Sequence, residues 1–405
     1  MKNKKKGWLL GFCGLFISIF FQTPTISLAA EKPPIKVGLL LPYTSLSFLQ
    51  AKGINDAAEL YFDEIGRKAG GRTIQLIKED DELNPSVGLT KARRLVEHHK
   101  VHFIIGPTNS AVGLAIHDYI RKQKVIQINP CANTRELTSP GKASENIFRV
   151  CETSDQGNYP LGKWVVRKTP YRNMVIAASD FSAGHHCAGA FKAGFEGAGG
   201  KVIKEVYPKL GTMDFASFLT TIDVEGADAI YAFIPGTDSI RFIQQYEEFG
   251  LKKRLPLFGL ANLTDDPHLV TMGEAALGII TVSHYAIINL DTPRNLAFIK
   301  AYKGKYGEPP FRYSEYGYVS ANLIGAVAEA LKGEIEDIPR VAKEIKRVAS
   351  RIETPSGPLA FDQYNQRIVN EYIVKVEKRD GKLVNVVIDK LGKVAQEDVW
   401  KWWRK

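Results

Sequence analysis

Strands and helices alternate along almost the whole of this 405-residue sequence, and the alternation restricts the fold more than any other feature. The first cycle is an apolar strand at residues 35–41, an amphipathic helix that ends at Gly66, and a second strand at residues 74–78. The strand predicted at residues 101–105 has almost no polar alternation, as expected when helices cover both faces of a parallel sheet. Such alternation predicts an α/β fold with mostly parallel sheets and right-handed crossovers.

The first thirty residues are predicted to be a secretory signal peptide. Lysines within residues 2–6 precede an apolar run at residues 7–21, and the small residues of SLAA at 27–30 supply a cleavage site. The apolar run is shorter than the ~20 residues that a membrane helix needs. Cys13 follows Phe12 and lacks the small residue expected before a lipid-bearing cysteine. We therefore expect an exported, soluble, periplasmic protein.

The strand–helix pattern begins again after residue 150. We predict strands at 174–178, 202–206, 229–233 and 257–259, then helices at 294–306, 315–332 and 338–349, and finally strands at 372–376 and 383–388. The roughly 375 residues that follow the leader exceed the size of one hydrophobic core. The sequence therefore predicts two doubly wound, Rossmann-like α/β lobes.

Charge and motifs exclude several function classes. The net charge of +10 falls to +6 without the four leader lysines, and no concentrated basic stripe with stacking aromatics is present, so nucleic-acid binding is not expected. No G-x-G-x-x-G follows a strand and opens a helix, and neither a P-loop nor a G-x-S-x-G elbow occurs. The sequence therefore disfavours an enzyme and predicts no cofactor.

Two histidine pairs and three cysteines need separate interpretation. His98 and His99 are adjacent and would diverge on a helix, and the segment 185–187 (HHC) is better explained by structural or ligand-facing roles than by metal binding. Cys131, Cys151 and Cys187 follow the leader, and an odd number is not a disulfide framework. An exported protein permits one bridge, between Cys131 and Cys151, or none.

Two loops rich in small polar residues follow neighbouring strands of the predicted first sheet. GPTNS at residues 106–110 opens a helix, and its N–H groups and the Ser110 hydroxyl suit an anion. INPCANT at residues 128–134 emerges at the same end of the sheet. Simple helix capping would explain Asn109 or Ser110 alone, but two converging loops favour a carboxylate site, because ligands bind beyond the carboxyl ends of such strands.

Five segments together resemble one protein family. Residues 35–41, GPTNS at 106–110, PCANTRELT at 130–138, SDQG at 154–157 and TPSGPLAFD at 354–362 occur in its order and spacing. The chain resembles the periplasmic leucine/isoleucine/valine-binding proteins of ABC transporters, across nearly all of the sequence after the leader. The resemblance implies a type I periplasmic binding fold, whose two lobes are joined by three crossovers and close on a small ligand.

The resemblance also implies where the lobes divide. The crossovers would fall near residues 151–153, 283–285 and 354–357. Lobe 1 is then residues 31–151 plus 285–354, and lobe 2 is residues 152–284 plus 355–405. It further implies a membrane-embedded permease as partner, and a monomer.

In this family a serine on the helix-opening loop and groups of the next loop hold the ligand carboxylate. Ser110 matches the serine, with Asn109 before it. Ala132 matches in the second loop, whereas Asn133 stands at a threonine position and Cys131 replaces a small residue. We therefore expect these two loops to form the carboxylate site.

The family's ammonium-binding acid is missing from the matching position, which holds Ala261 with Asn262 beside it, and Ala183 replaces a tyrosine. Burying an ammonium without a carboxylate is costly, so the sequence favours a small organic or aromatic acid while a branched-chain amino acid stays open. Asp238, Asp265 or Asp266 would supply the acid if the alignment shifts by a few residues. The remaining predicted ligand contacts are Phe48, Phe181, His185, Tyr285 and Tyr316.

Two alternative functions remain at this point. One is a ligand-sensing receptor-type binding protein of the same fold, which would need a transmembrane or signalling segment. The other is an exported enzyme, for which turnover of the bound ligand would be diagnostic.

Overall fold

Two β-sheets covered by helices organise the chain. This computed structural model describes Met1 and residues 7–8, 32–222, 225–288 and 290–400, so the predicted leader lies almost wholly outside the described residues. The first sheet has the strand order β2-β3-β1-β4-β5-β6. Its strands are β1 (Ile35–Leu41), β2 (Lys68–Ala69), β3 (Arg72–Asp80), β4 (Phe103–Ile105), β5 (Ile126–Asn129) and β6 (Ile147–Arg149).

The second sheet has the order β15-β14-β11-β10-β9-β7-β8, and β12 and β13 pair separately. Five of its strands are parallel, and β14 and β15 form an antiparallel hairpin that joins the sheet at β11. The remaining strands are β7 (Asn173–Ala178), β8 (Lys201–Val206), β9 (Ala229–Phe233), β10 (Leu257–Leu260), β11 (Ile280–Ser283), β12 (Glu353–Thr354), β13 (Gly357–Pro358), β14 (Val369–Arg379) and β15 (Lys382–Val394).

Helices fill the connections between these strands. They are α1 (Phe48–Glu64), α2 (Pro85–Arg93), α3 (Ser110–Ile120), α4 (Ser154–Lys168), α5 (Ser182–Glu196), α6 (Ala216–Ile222), α7 (Thr237–Glu248), α8 (Asp266–Met272), α9 (Pro293–Tyr306), α10 (Arg312–Ala330), α11 (Ile338–Ala349) and α12 (Gln396–Val399). Among the described residues, no helix has the length and apolarity needed to cross a membrane.

The apolar cores show which helices belong to which sheet. Leu39 and Phe103 of the first sheet pack in one buried cluster with Phe298 of α9, Tyr318 of α10 and Val348 of α11. The chain therefore leaves the first sheet after β6, returns to its core after β11, and leaves again before β14. The α/β class with two parallel-dominated sheets is confirmed.

The first passage between the sheets is fixed by a capping box at the start of α4. The Thr153 hydroxyl oxygen accepts from the N–H groups of Asp155 (3.2 Å) and Gln156 (3.1 Å), and the Gln156 side chain accepts from the Thr153 N–H at 2.8 Å. These bonds satisfy N–H groups that the helix itself leaves unpaired. The capping box therefore determines where α4 begins after β6.

Several predicted elements differ from the observed ones. The strand predicted at residues 101–105 begins only at Phe103, and the helix predicted at residues 315–332 begins at Arg312. The sequence prediction missed β11, because Ile280–Ser283 lies in a run that mixes apolar, hydroxyl and imidazole side chains. β11 is nevertheless a central strand between β10 and β14.

Candidate functional site

A cavity of about 530 Å³ is lined by loops that follow the strands of both sheets. Part of this space is open to solvent. Its location, beyond the carboxyl ends of parallel strands, is the one expected of a ligand site. Its lining residues are Leu46, Ser47, Gln50, Leu83, Thr108, Asn109, Ser110, Cys131, Asn133, Glu152, Phe181, Ala183, Leu210, Phe233, Pro235, Leu260, Asn262, Arg312 and Tyr313.

The amino terminus of α3 forms one part of the first wall. Asn109 is its N-cap, and the side-chain oxygen accepts from the N–H groups of Ala111 (2.8 Å) and Val112 (3.2 Å). Ser110 is buried at the first helical position. Capping thus explains Asn109 but not Ser110, whose hydroxyl remains beside the cavity at the positive end of the helix dipole.

The loop after β5 forms the rest of this wall. The Asn129 side chain accepts from the N–H groups of Cys131 (3.0 Å) and Ala132 (2.9 Å), which folds the loop into a tight turn. The Ser110 hydroxyl donates to Oδ1 of Asn133 at 3.4 Å and accepts from the Thr134 N–H at 3.2 Å. Ser110 therefore joins the two loops that the sequence placed together.

A buried arginine supports the same loop from behind. Arg149, at the end of β6, is 0% exposed and donates to the carbonyl oxygens of Ala132 (3.2 Å) and Thr134 (2.6 Å) and to the side chains of Thr138 and Gln366. Each donated bond satisfies a polar group that burial would otherwise leave unpaired. No local sequence pattern indicates this role of Arg149.

The second wall comes from the loops after β7, β9 and β10 and is mainly apolar. The rings of Phe181 and Phe233 lie 6.1 Å apart, between centroids. Ala183, Pro235 and Leu260 complete the apolar surface. A flat aromatic or branched aliphatic group would gain dispersion contacts and lose water against such a wall.

Arg312 and Glu152 lie where the two walls meet. Arg312 opens α10 and lies 3.5 Å from Glu152 and 3.2 Å from Asp265, between nitrogen and carboxylate oxygen, and it donates to the Tyr313 hydroxyl at 2.7 Å. Burial alone would raise the pKa of Glu152, but His284 and Arg312 lower it. At Asp265 burial outweighs the attraction of Arg312, so the pKa is raised. Arg312 therefore lies between two buried carboxyl groups at the edge of the cavity.

The Arg312–Glu152 pair continues into a buried network at the passages between the sheets. Glu152 accepts from the Tyr316 hydroxyl and lies 3.4 Å from Nδ1 of His284. Nε2 of His284 lies 3.1 Å from Glu315, which pairs with Arg367 at 3.0 Å. His284 follows β11, and Arg367 lies just before β14. All three passages of the chain thus contribute to one network.

Some polar atoms at the cavity have no hydrogen-bond partner among the described residues. They are the Thr108 hydroxyl oxygen, both amide atoms of Asn262 and Nε of Arg312. All three residues are at least nine-tenths buried. Buried polar groups are normally paired, so these atoms are candidates for contacts with polar groups of a ligand.

Six of the twelve predicted contact residues line the cavity together. They are Asn109, Ser110, Cys131, Asn133, Phe181 and Ala183. Ala132 is adjacent but fully buried, with its N–H bonded to Asn129. The structure thus brings together predicted residues from loops that follow strands of both sheets.

The other five predicted contacts lie outside this cavity. Phe48 is 48% exposed at the start of α1. His185 pairs with Asp180 at 2.8 Å and stacks on Tyr207, so its ring is satisfied on the surface. The last three, Ala261, Tyr285 and Tyr316, are buried. Asn262 lines the cavity and Ala261 beside it does not, while Tyr285 donates to Asn295 at 2.9 Å and Tyr316 donates to Glu152.

The three alternative acids also have partners within the protein. Asp238 pairs with Arg241 at 2.9 Å, Asp265 pairs with Arg312, and Asp266 accepts from Asn385 at 2.9 Å. None of these three acids is among the described residues that line the cavity.

The structure also shows the state of the three cysteines and the surroundings of the segment 185–187. Cys131, Cys151 and Cys187 are free thiols, so the permitted bridge between the first two is not formed in this structure. His186 lies 3.2 Å from Glu136, and Cys187 is buried with its sulfur 4.0 Å from the side-chain nitrogen of Asn133. The residues that the structure describes contain no group of three or more side chains suited to a metal ion.

Residues missed by the sequence analysis include Thr108, Glu152, Arg312 and Tyr313. Thr108 lay within the quoted GPTNS segment. The other signals were weaker: Glu152 directly precedes the cap of α4, and Arg312 follows Pro309 and Pro310 in an aromatic segment. Their convergence depends on the folded path of three separate segments, which local patterns do not specify.

Comparisons with known proteins agree with this architecture. The periplasmic binding protein family matches residues 34–382. The Leu/Ile/Val-binding protein homolog 6 of Brucella melitensis is 27% identical over 358 residues, which are 87% of this chain and 90% of that protein.

Two solved structures are similar along nearly their whole length. A solute-binding protein of an ABC transporter from R. palustris, in complex with benzoate, has a TM-score of 0.83 and 28% identity and covers 89% of this chain and 97% of that one. One from Rhodopseudomonas palustris BisB5, in complex with 3,4-dihydroxybenzoic acid, has a TM-score of 0.82 and 29% identity and covers 90% and 98%. This chain belongs to the periplasmic binding protein family.

Proposed function

We propose that this protein captures a small aromatic or related organic carboxylate between its two lobes and delivers it to the membrane-embedded permease of an ABC transporter. The observation that carries the proposal is the difference between the two walls of the cavity, of which one is polar and the other apolar. The amino terminus of α3 with Ser110 supplies an anion site on one wall, and Phe181 and Phe233 supply an apolar surface on the other. Similar solute-binding proteins hold benzoate and 3,4-dihydroxybenzoic acid.

In the proposed function, two lobes close on the ligand in the periplasm. Lobe 1 comprises residues 31–151 plus 285–354, and lobe 2 comprises residues 152–284 plus 355–405. After export directed by residues 1–30, the protein acts as a periplasmic monomer and binds its ligand without converting it. Hinge closure around the ligand would exclude water from the cavity and complete the site.

A branched-chain amino acid is the second candidate, favoured by the similarity to the Leu/Ile/Val-binding protein homolog. Its ammonium group would need a carboxylate partner. Among the described residues lining the cavity, Glu152 is the single acid, and it is already paired with Arg312 at 3.5 Å. Burial of an ammonium beside such a pair is expensive, so the carboxylate without an amino group is favoured.

Mass spectrometry of the small molecule that co-purifies with the exported protein tests the proposal. We expect an organic or aromatic acid, recovered unchanged after prolonged incubation with the protein. Recovery of leucine, isoleucine or valine would support the second candidate, and conversion of the bound molecule would indicate an enzyme.

A further inference from the structure

Asn262 lines the cavity from the second wall, and its buried side-chain amide is unpaired among the described residues. It lies in the 3-10 helix Ala261–Thr264 that directly follows β10, and it is 3% exposed. Neither Oδ1 nor Nδ2 has a hydrogen-bond partner within the described part of the chain. A buried amide left unpaired after water is excluded is unfavourable. The closed site therefore favours a ligand that satisfies both atoms.

The two unpaired atoms restrict the chemistry of that ligand group. The amide nitrogen donates and the amide oxygen accepts, so the complementary group must do both. A hydroxyl does both, whereas an ionised carboxylate only accepts and an ammonium only donates. The same kind of ligand group is required whichever way the amide is oriented, since neither of its atoms has a partner among the residues that the structure describes.

The position of Asn262 assigns it to the end of the ligand remote from the carboxylate. Ser110 and the amino terminus of α3 belong to the first sheet, and Asn262 follows a strand of the second sheet. Phe181, Phe233 and Leu260 supply the apolar lining beside Asn262. A ligand spanning both walls would thus meet an anion site, an apolar surface and a neutral amide.

We infer that Asn262 binds a hydroxyl group of the ligand, and that the cavity therefore selects hydroxylated aromatic acids over the unsubstituted acid. This inference rests on the proposed function, because it takes the carboxylate to lie at Ser110. One ring hydroxyl, or two adjacent ones, would donate to the amide oxygen and accept from the amide nitrogen. Benzoate would present only ring hydrogens there and leave both amide atoms unpaired.

Calorimetric titration with 4-hydroxybenzoate and benzoate tests the inference on the wild-type protein and on Asn262→Leu. The wild type should bind 4-hydroxybenzoate at least about ten-fold more tightly, because a site built to pair a hydroxyl rejects the analogue that lacks it. In Asn262→Leu the two affinities should agree within about two-fold. Benzoate should still bind to this variant, because benzoate makes no hydrogen bond with the Asn262 amide. If Asn262→Leu does not fold, Asn262→Ala replaces it.

The possible failures are distinguishable. If benzoate binds but the wild type does not prefer 4-hydroxybenzoate, the role of Asn262 is wrong while the proposed function stands. The same conclusion follows if the folded Asn262 variant keeps the wild-type preference for 4-hydroxybenzoate. If neither acid binds the wild-type protein and a branched-chain amino acid does, the proposed function fails, and this inference fails with it.

Discussion

The guanidinium of Arg312 lies 3.5 Å from the carboxylate of Glu152 at the edge of the cavity, and both side chains are almost completely buried. Arg312 opens a helix packed on the first sheet, and Glu152 lies in the first passage to the second sheet. A buried pair of this kind costs desolvation and is retained only with good additional hydrogen bonds. Tyr313 and Tyr316 provide such bonds.

Removing Arg312 should destabilise the protein strongly. Arg312→Gln leaves Glu152 buried without its cation, and we expect a loss of about 3–5 kcal/mol in the free energy of unfolding. Urea denaturation measures this loss. Arg340→Gln is the matched control, because Arg340 pairs with Glu334 at 2.8 Å on the exposed surface and should change stability by at most about 1 kcal/mol. Equal stability of the two variants would show that the buried pair is not structurally important.

Ser110 should contribute directly to ligand affinity. Ser110→Ala removes the hydroxyl beside the anion site, and we expect binding of the carboxylate ligand to weaken by about 1–3 kcal/mol. Isothermal titration calorimetry measures the change. Ser86→Ala, at the exposed start of α2, is the control and should leave affinity unchanged. If both variants bind equally well, the carboxylate lies elsewhere.

Asp81 should make stability depend on pH. It is fully buried in the turn after β3, and burial raises its pKa to about 7. Because the folded state holds the proton more tightly than the unfolded state does, the stabilising contribution is complete at acidic pH and is lost as pH rises through 7. Asp81→Asn keeps an acceptor for the Leu83 N–H and removes the charge.

The stability advantage of Asp81→Asn over wild type should therefore grow between pH 4 and pH 8, to at most about 4 kcal/mol, since one pKa unit corresponds to about 1.4 kcal/mol. Thermal unfolding across this range measures it, with the exposed Asp291→Asn as control. A difference that does not vary with pH would contradict the raised pKa.

Ligand binding should make the protein more compact. The cavity is bounded by loops of both sheets, so a ligand that touches Ser110 and Asn262 stabilises the closed arrangement. We expect small-angle scattering to show a smaller radius of gyration with saturating ligand than without it. An unchanged radius at saturation would argue against closure.

Sequence patterns predicted the architecture well because the parallel strands are buried on both faces. β9 runs over Ala229–Phe233, the same residues that the apolar run predicts, and all of them are buried. β11 was missed, because Thr281 and Ser283 interrupt its apolar character although both are buried in the sheet. Burial of hydroxyl-bearing residues in a central strand depends on tertiary partners and leaves no periodic signal.

The sequence predicts the part of the candidate site that directly follows neighbouring strands. Ser110 and Asn133 follow adjacent strands, so their proximity could be inferred from the order of the elements. Arg312 could not be placed in this way, because it lies at the start of a helix more than 150 residues from Glu152 in the sequence. The sequence also does not distinguish Ala261 from Asn262 as the contact in the loop after β10, since a shift of one residue in a turn changes which side chain lines the cavity.

A thermal-shift comparison of 4-hydroxybenzoate, its methyl ester and leucine tests the central claim most directly, because the ester keeps the ring and hydroxyl but removes the negative charge. Ligands that bind only the folded state raise the unfolding temperature, and at equal concentration a tighter ligand raises it more. We predict a clear rise with the acid, and none with the ester or with leucine. A rise with leucine alone, or an equal rise with acid and ester, would contradict a site built for an aromatic carboxylate.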